Sequence, residues 1–141
     1  MYDKTVECFE NCDIAILSAA VADYTPKSTF DTKLKKKTDN LVVELVPTKD
    51  ILAELGRRKK ENQILVGFAL ETDNELENAK EKLTRKKLDC IVLNSLNDQG
   101  AGFNVPTNKV TILDAKGNIY NSDLKSKYEV ALDISEKILN L

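Results

Sequence analysis

The sequence predicts an α/β domain with a mostly parallel sheet and an antiparallel hairpin on one side. Short continuous apolar runs at residues 13–17, 64–70 and 90–94 have the look of strands buried on both faces. Amphipathic stretches at helical spacing alternate with them, the order expected of a sheet built from crossover units. Residues 110–113 and 118–120 flank Asp114-Ala115-Lys116-Gly117, a hairpin signal.

Element by element, residues 1–11 predict a short helix with Val6 and Phe9 inward, although its start carries no capping residue. The run at 13–17 empties into small residues, Ser18-Ala19-Ala20-Val21-Ala22, then Asp23-Tyr24. Residues 25–40 are polar and basic, and 41–46 predict a strand that Pro47 ends. Thr48 is a candidate N-cap for a helix through Ile51, Leu52 and Leu55, whose basic end, Arg57 to Lys60, suits a helix C-terminus. After the strand at 64–70, Thr72 with Glu75 has capping-box spacing, and Leu76, Ala79 and Leu83 form a core-facing stripe. Residues 97–104 predict a glycine-containing loop. Ser126 with Glu129 has capping-box spacing for a closing helix with Ala131, Ile134 and Ile138 inward.

The chain has 141 residues, enough for one ordinary domain over 1–141, and 42% apolar residues, enough for a packed core. Lys+Arg 21 against Asp+Glu 23 leaves a net charge of −2, so no overall field drives it onto nucleic acid or an anionic membrane. There is no histidine, which excludes Ser-His-Asp and Cys-His catalysis and His-containing zinc sites. Trp is absent and aromatics are 6%, which argues against base-stacking platforms. The three cysteines make no disulfide framework and fit small buried apolar side chains in a reducing compartment. With no secretory start and no apolar run near the ~20 residues of a membrane span, a soluble, cytoplasmic protein is expected.

Open α/β sheets bind ligands outside the carboxyl ends of their strands. Three such ends, residues 18–24, 68–72 and 94–103, carry small or polar residues, though small residues also ease tight turns. Lys27 and Lys33-Leu34-Lys35-Lys36-Lys37 follow Asp23, and Lys82 and Lys86 stand four apart on a helix. Two lysine groups around one crevice suit a polyphosphate, while lysine runs are also ordinary solvated surface. Asp23 and Glu71 could position a magnesium–nucleotide complex or a ribose hydroxyl, or simply cap helices. Neither G-x-x-x-x-G-K-[ST] nor G-x-G-x-x-G is present.

Ser18-Ala19-Ala20-Val21-Ala22-Asp23-Tyr24, then Lys33-Leu34-Lys35-Lys36, then Val66-Gly67-Phe68-Ala69-Leu70-Glu71-Thr72, resemble phosphopantothenate–cysteine ligase. So do Lys82, Lys86, Leu88-Asp89, Asn94 and Gly102-Phe103, in the family order and over the whole chain. The resemblance implies a Rossmann-like three-layer fold and ligation of 4′-phosphopantothenate to cysteine in coenzyme A biosynthesis. The carboxylate would attack the α-phosphate of CTP (ATP in some relatives) with Mg²⁺, giving an acyl-cytidylate and pyrophosphate. Cysteine would then displace CMP. A carboxylate is already a nucleophile, so charge neutralisation and orientation would dominate and no histidine is needed.

The resemblance further implies that Leu17, Ser18 and Ala19 line the nucleotide pocket and that Asp23 binds the nucleoside end. Lys33 would face the phosphates as the catalytic lysine. Residues Lys49, Asp50, Ile51 and Leu52 would close over the nucleotide, Phe68 would pack on it, and Lys82 and Lys86 would complete the cationic lining. Asn94 would stand on the pantothenate side, and no metal ligand is identified. A homodimer and a fused or separate phosphopantothenoylcysteine decarboxylase are the implied partners. Lys49 stands where many relatives have proline. The family's upstream strand and Gly/Ser-rich segment have no counterpart here, so a fragment that holds the CTP–Mg²⁺ site but turns over slowly or not at all alone is the expectation. Two alternatives are a non-catalytic assembly domain and nucleic-acid binding through the lysine loop.

Overall fold

The computed structural model describes residues 1–35, 40–95, 100–101 and 104–141. They form two compact units, Met1–Ser18 with Ile51–Leu141, and Ala19–Asp50. The larger unit contains α1 (Tyr2–Phe9), β1 (Ile14–Leu17), α2 (Ile51–Arg58), β4 (Ile64–Glu71), α3 (Glu75–Arg85), β5 (Cys90–Ser95), β6 (Thr107–Asn108), β7 (Val110–Asp114), β8 (Ile119–Asn121), β9 (Lys125–Ser126) and α4 (Lys127–Leu139). The smaller unit holds β2 (Tyr24–Pro26) and β3 (Leu45–Pro47).

The main sheet runs β1-β4-β5-β7-β8, with β1, β4 and β5 parallel and β7 and β8 antiparallel. This is the predicted mostly parallel sheet with its hairpin. Alternation along each strand divides the core in two. Leu65, Ala69, Ile91 and Leu93 face one side with Phe9, Leu55 and Ala79 of α1, α2 and α3. Val66, Val92, Val110 and Ile112 face the other with Val130, Ile134 and Ile138 of α4. Each fully buried aliphatic side chain such as Leu55 or Ile91 contributes ~1.5–3 kcal/mol.

Several expectations are corrected. The run at 13–17 is not buried on both faces: β1 is the edge strand, Ile14 and Ile16 are exposed, and no β1 residue joins the α4-side core. Of residues 41–46, only Leu45 and Val46 pair, and Leu41, Val42 and Val43 are exposed. Thr48 does not cap α2; its hydroxyl donates to the Ala22 carbonyl and its amide to Asp23. Thr72 with Glu75 makes no capping box. The N-cap of α3 is Asn74 in the left-handed conformation, the Thr72 hydroxyl donates to Asp73, and Glu75 accepts from Ser95 Oγ at 2.6 Å. Leu76 is exposed, leaving Ala79 as the buried residue of α3. On α4, Val130 faces inward in place of Ala131, which is exposed. Cys8 is exposed and Cys12 half-buried, while Cys90 lies in the core, where burial pushes its thiol up to about 12.

The Ser126 capping box is present as the sequence predicts. The Glu129 amide donates to Ser126 Oγ at 3.2 Å, and the Ser126 amide and hydroxyl donate to the Glu129 carboxylate at 3.0 and 2.6 Å. The Ser126 hydroxyl holds the Glu129 carboxyl below its ordinary value. A depressed folded value stabilises the domain above the unfolded pKa and loses that contribution as pH falls through the folded one. Ser126→Ala is therefore expected to cost about 1 kcal/mol at neutral pH and less in strong acid, by denaturant unfolding. Equal cost at both pH values would count against the box.

Asp89 ties the amino-terminal edge of the sheet together. Its carboxylate accepts from Lys59 Nζ at 2.6 Å and the Leu65 amide at 2.7 Å, and its carbonyl accepts from the Ala115 amide. The smaller unit is a two-stranded ribbon with the pairs Tyr24–Pro47, Thr25–Val46 and Pro26–Leu45 and a Lys27–Glu44 ion pair at 2.7 Å. Tyr24, Phe30, Leu34, Leu41, Val42 and Leu45 are exposed on it. Among the described residues no helix is long and apolar enough to cross a membrane.

Candidate functional site

The carboxyl ends of three neighbouring parallel strands lie side by side in the larger unit. Register pairs Leu17 of β1 with Gly67 of β4, and Leu70 and Glu71 of β4 with Asn94 and Ser95 of β5. Ser18 follows directly and is exposed. Gly67 is tightly packed here: a Cβ on it would fall 2.7 Å from a Leu52 methyl and 2.9 Å from a Leu88 methyl, and both side chains would have to shift. Ile51 and Leu52 open α2 and pack on the core from that face, so both anchor the helix start. Phe68 points the other way, half-buried against the α4-side core.

Lys82 reaches back from α3 to the end of β4, where its Nζ lies 3.1 Å from Glu71 Oε1. Glu71 also accepts from Asn78 Nδ2 at 3.4 Å, and Asn78 donates to the Asp73 carbonyl at 2.9 Å. Lys86 is the C-cap of α3, and its carbonyl sits where a Cβ on Gly56 of α2 would come within 1.9 Å. The two lysines thus differ in setting: one is pinned at a strand end, the other lies at the far end of the helix. Asn94 accepts from Asn108 Nδ2 at 2.9 Å, and Asn108 Oδ1 is buried with no partner among the described residues.

Ala19, Asp23, Lys33, Lys49 and Asp50 belong to the ribbon unit, where each is exposed. There the Asp23 carbonyl accepts from the Thr48 amide, which fixes the chain at the base of the ribbon. Lys36 and Lys37, most of the loop at 97–104, and Gly102-Phe103 lie outside the described residues. Among the described residues, no group of three or more His, Cys, Asp or Glu side chains could hold a metal ion.

Sequence reasoning did not find Asn78 or Asn108. Asn78 is seven positions beyond Glu71 and across a turn from it, and Asn108 meets Asn94 only because β6 returns to the end of β5. No local pattern marks either pairing.

A family model described as DNA/pantothenate metabolism flavoprotein C-terminal domain matches residues 1–141. The chain belongs to this family. It is 45% identical over 141 residues to the coenzyme A biosynthesis bifunctional protein CoaBC of Bacillus subtilis (strain 168), covering 100% of this chain and 34% of the relative. It is 59% identical over 141 residues to a cysteine/cysteine sulfinic acid decarboxylase of an unknown prokaryotic organism, covering 100% of this chain and 39% of that protein. The crystal structure of the C-terminal domain of a CoaBC protein superposes with a TM-score of 0.77 at 35% identity, covering 97% of this chain and 58% of that one. The chain therefore spans little more than a third of the length of these curated relatives. The resemblance read from the sequence holds at the level of family and fold. In this chain Leu17 ends β1, Lys82 reaches the end of β4, Asn94 lies near the end of β5, Leu52 packs beside Gly67, and Lys86 caps the distal end of α3.

Proposed function

We propose that this domain binds the nucleotide in phosphopantothenate–cysteine ligase, an enzyme of coenzyme A biosynthesis. The observation that carries the reading is the carboxyl edge of β1, β4 and β5, with Ser18, the pinned Lys82 and Asn94 along it. Such an edge supplies backbone amides, a cation and an amide side chain where an open α/β sheet binds its ligand. The names of the relatives, coenzyme A biosynthesis bifunctional protein among them, support the same pathway.

In this reading Lys82, held at the carboxyl edge of the larger unit, serves the phosphates of CTP, and the resemblance gives Lys33 of the ribbon unit the same role, while Lys86 at the distal end of α3 is left out of the lining. By the resemblance Asp23 takes the nucleoside end and Lys49 and Asp50 of the ribbon unit cover the nucleotide, while Ile51 and Leu52 pack on the core. The lysines neutralise the triphosphate and orient its α-phosphate toward the carboxylate of 4′-phosphopantothenate, whose acyl-cytidylate then reacts with cysteine. Mg²⁺ keeps most of its ligands as water and phosphate oxygens and needs one or two protein carboxylates. The sparse acidic groups fit that demand, with Asp23 as the contribution of the protein, since both oxygens of Glu71 are taken by Lys82 and Asn78. Magnesium would supply charge neutralisation at the phosphates.

A decarboxylase is the accompanying activity, fused or separate. The word bifunctional in one relative's name and the decarboxylation named in the other support it, and we attribute that chemistry to the lengths of those proteins beyond this domain. The exposed apolar side chains of the ribbon support a homodimer, since a lone two-stranded ribbon is marginally stable in water. The substrates are soluble metabolites, in keeping with a cytoplasmic enzyme that uses neither nucleic acid nor membrane.

Calorimetric titration of the chain with CTP and Mg²⁺, repeated with ATP, tests the reading. Saturable binding that prefers CTP is expected. A folded sample that binds neither nucleotide would overturn the assignment of the strand ends.

A further inference from the structure

We infer that Glu71 is a positioning residue of the nucleotide site: its carboxylate, buttressed by Asn78, holds the Lys82 ammonium at the carboxyl end of β4. The inference rests on the proposed nucleotide reading and extends it to a residue that touches no ligand itself.

The ion pairs along α3 make the contrast. Lys80 pairs with Glu77 and Arg85 with Glu81, each three or four residues away on the helix surface, and all four side chains are more than half exposed. Such pairs hold little, because solvent competes and long side chains lose entropy. Lys82 leaves the helix instead and crosses to a strand end eleven positions earlier. Its side chain is 26% exposed and that of Glu71 20%. Water competes less there, and the pair is stronger for it.

The carboxylate is itself held. Asn78 Nδ2 bridges Glu71 Oε2 and the Asp73 carbonyl, so the turn between β4 and α3 carries the anchor for Lys82. That turn is fixed by Asn74 in the left-handed region, at φ 46°. A lysine ammonium has three donors on a flexible four-carbon stem. One donor spent on Glu71 leaves two for phosphate oxygens, and the entropy of ordering the stem is lost before the ligand arrives. Preorganisation of this kind raises affinity by lowering the cost of binding. The negative charge of Glu71 works against a polyanion, so the sign of its effect on binding separates the two roles.

The test is a double-mutant cycle on CTP–Mg²⁺ affinity by calorimetry, with thermal unfolding of every variant alongside. Glu71→Gln is expected to weaken CTP binding about tenfold in the wild-type background and less than twofold when Lys82 is already alanine. Glu71→Asp, which keeps the charge, is expected to recover part of the loss, and it replaces Glu71→Gln in the cycle if that variant does not fold. An equal loss in both backgrounds would make Glu71 a structural residue and overturn the inference. Unchanged or tighter binding in Glu71→Gln would make it a competitor for Lys82, also against the inference. Absence of CTP binding by the folded wild-type chain would overturn the ligase reading and this inference with it, whereas a wild type that binds while the cycle shows no coupling sinks the inference alone.

Discussion

Replacing Lys33 by alanine in the protein that carries this domain is expected to lower ligase turnover by about 10²–10³-fold, the usual cost of removing one preorganised group that stabilises developing charge. The thermal unfolding midpoint should stay where it is. Lys33 is exposed in the ribbon unit and takes no part in either core cluster, so its side chain adds nothing to the packing. The chemistry makes the loss large. In the proposed reaction a carboxylate is the nucleophile, and this chain would contribute cations that neutralise and orient the triphosphate, because it holds no histidine. Loss of turnover with an unshifted midpoint, measured as pyrophosphate release from CTP, is the expected pair of results. Unchanged turnover would remove Lys33 from the mechanism, and a parallel fall in the midpoint would reassign the residue to folding.

Gly56→Ala is expected to destabilise the domain, against the ordinary rule for helices. Alanine inside a helix is favoured over glycine by about 1 kcal/mol, and Gly56 lies within α2 with no positive φ to explain it. A Cβ there would come within 1.9 Å of the Lys86 carbonyl oxygen and 2.9 Å of its carbon. Both are backbone atoms at the end of α3, so no side chain can swing aside. The helices must separate, and overpacking of this kind costs ~1–3 kcal/mol, roughly 2–12 °C in the midpoint for a domain of this size. A raised midpoint in differential scanning calorimetry would sink the packing argument.

The elements whose information is local were legible from residue order. The closing helix begins where Ser126 and Glu129 promise, because both halves of a capping box lie within one turn. The hairpin forms around Asp114 to Gly117, where Gly117 takes φ 90° and the Asp114 carboxylate accepts from Asn118. Local signals misled where two short-range options compete. Thr72 has the right spacing to Glu75 for a cap, yet its hydroxyl turns to Asp73 and Glu75 turns to Ser95. The candidate site was legible in part. Small residues and lysines mark the strand ends, but which lysine is anchored there does not follow from Lys82 and Lys86 standing four apart.

By itself the sequence determined the α/β class, the order of the main-sheet strands and the helices, the hairpin, and the family through motifs spread over the whole chain. Tertiary structure decided the rest. The apolar run of β1 reads the same as that of β5, and only the sheet order makes one an edge with Ile14 and Ile16 exposed and the other a buried centre. The need for glycine at position 56 comes from a carbonyl thirty residues later, and the setting of Lys82 comes from a carboxylate on another element. Periodicity and capping are properties of neighbours in the chain. Burial, close approach and ion pairing across elements are properties of neighbours in space, and these arise only once the chain has folded.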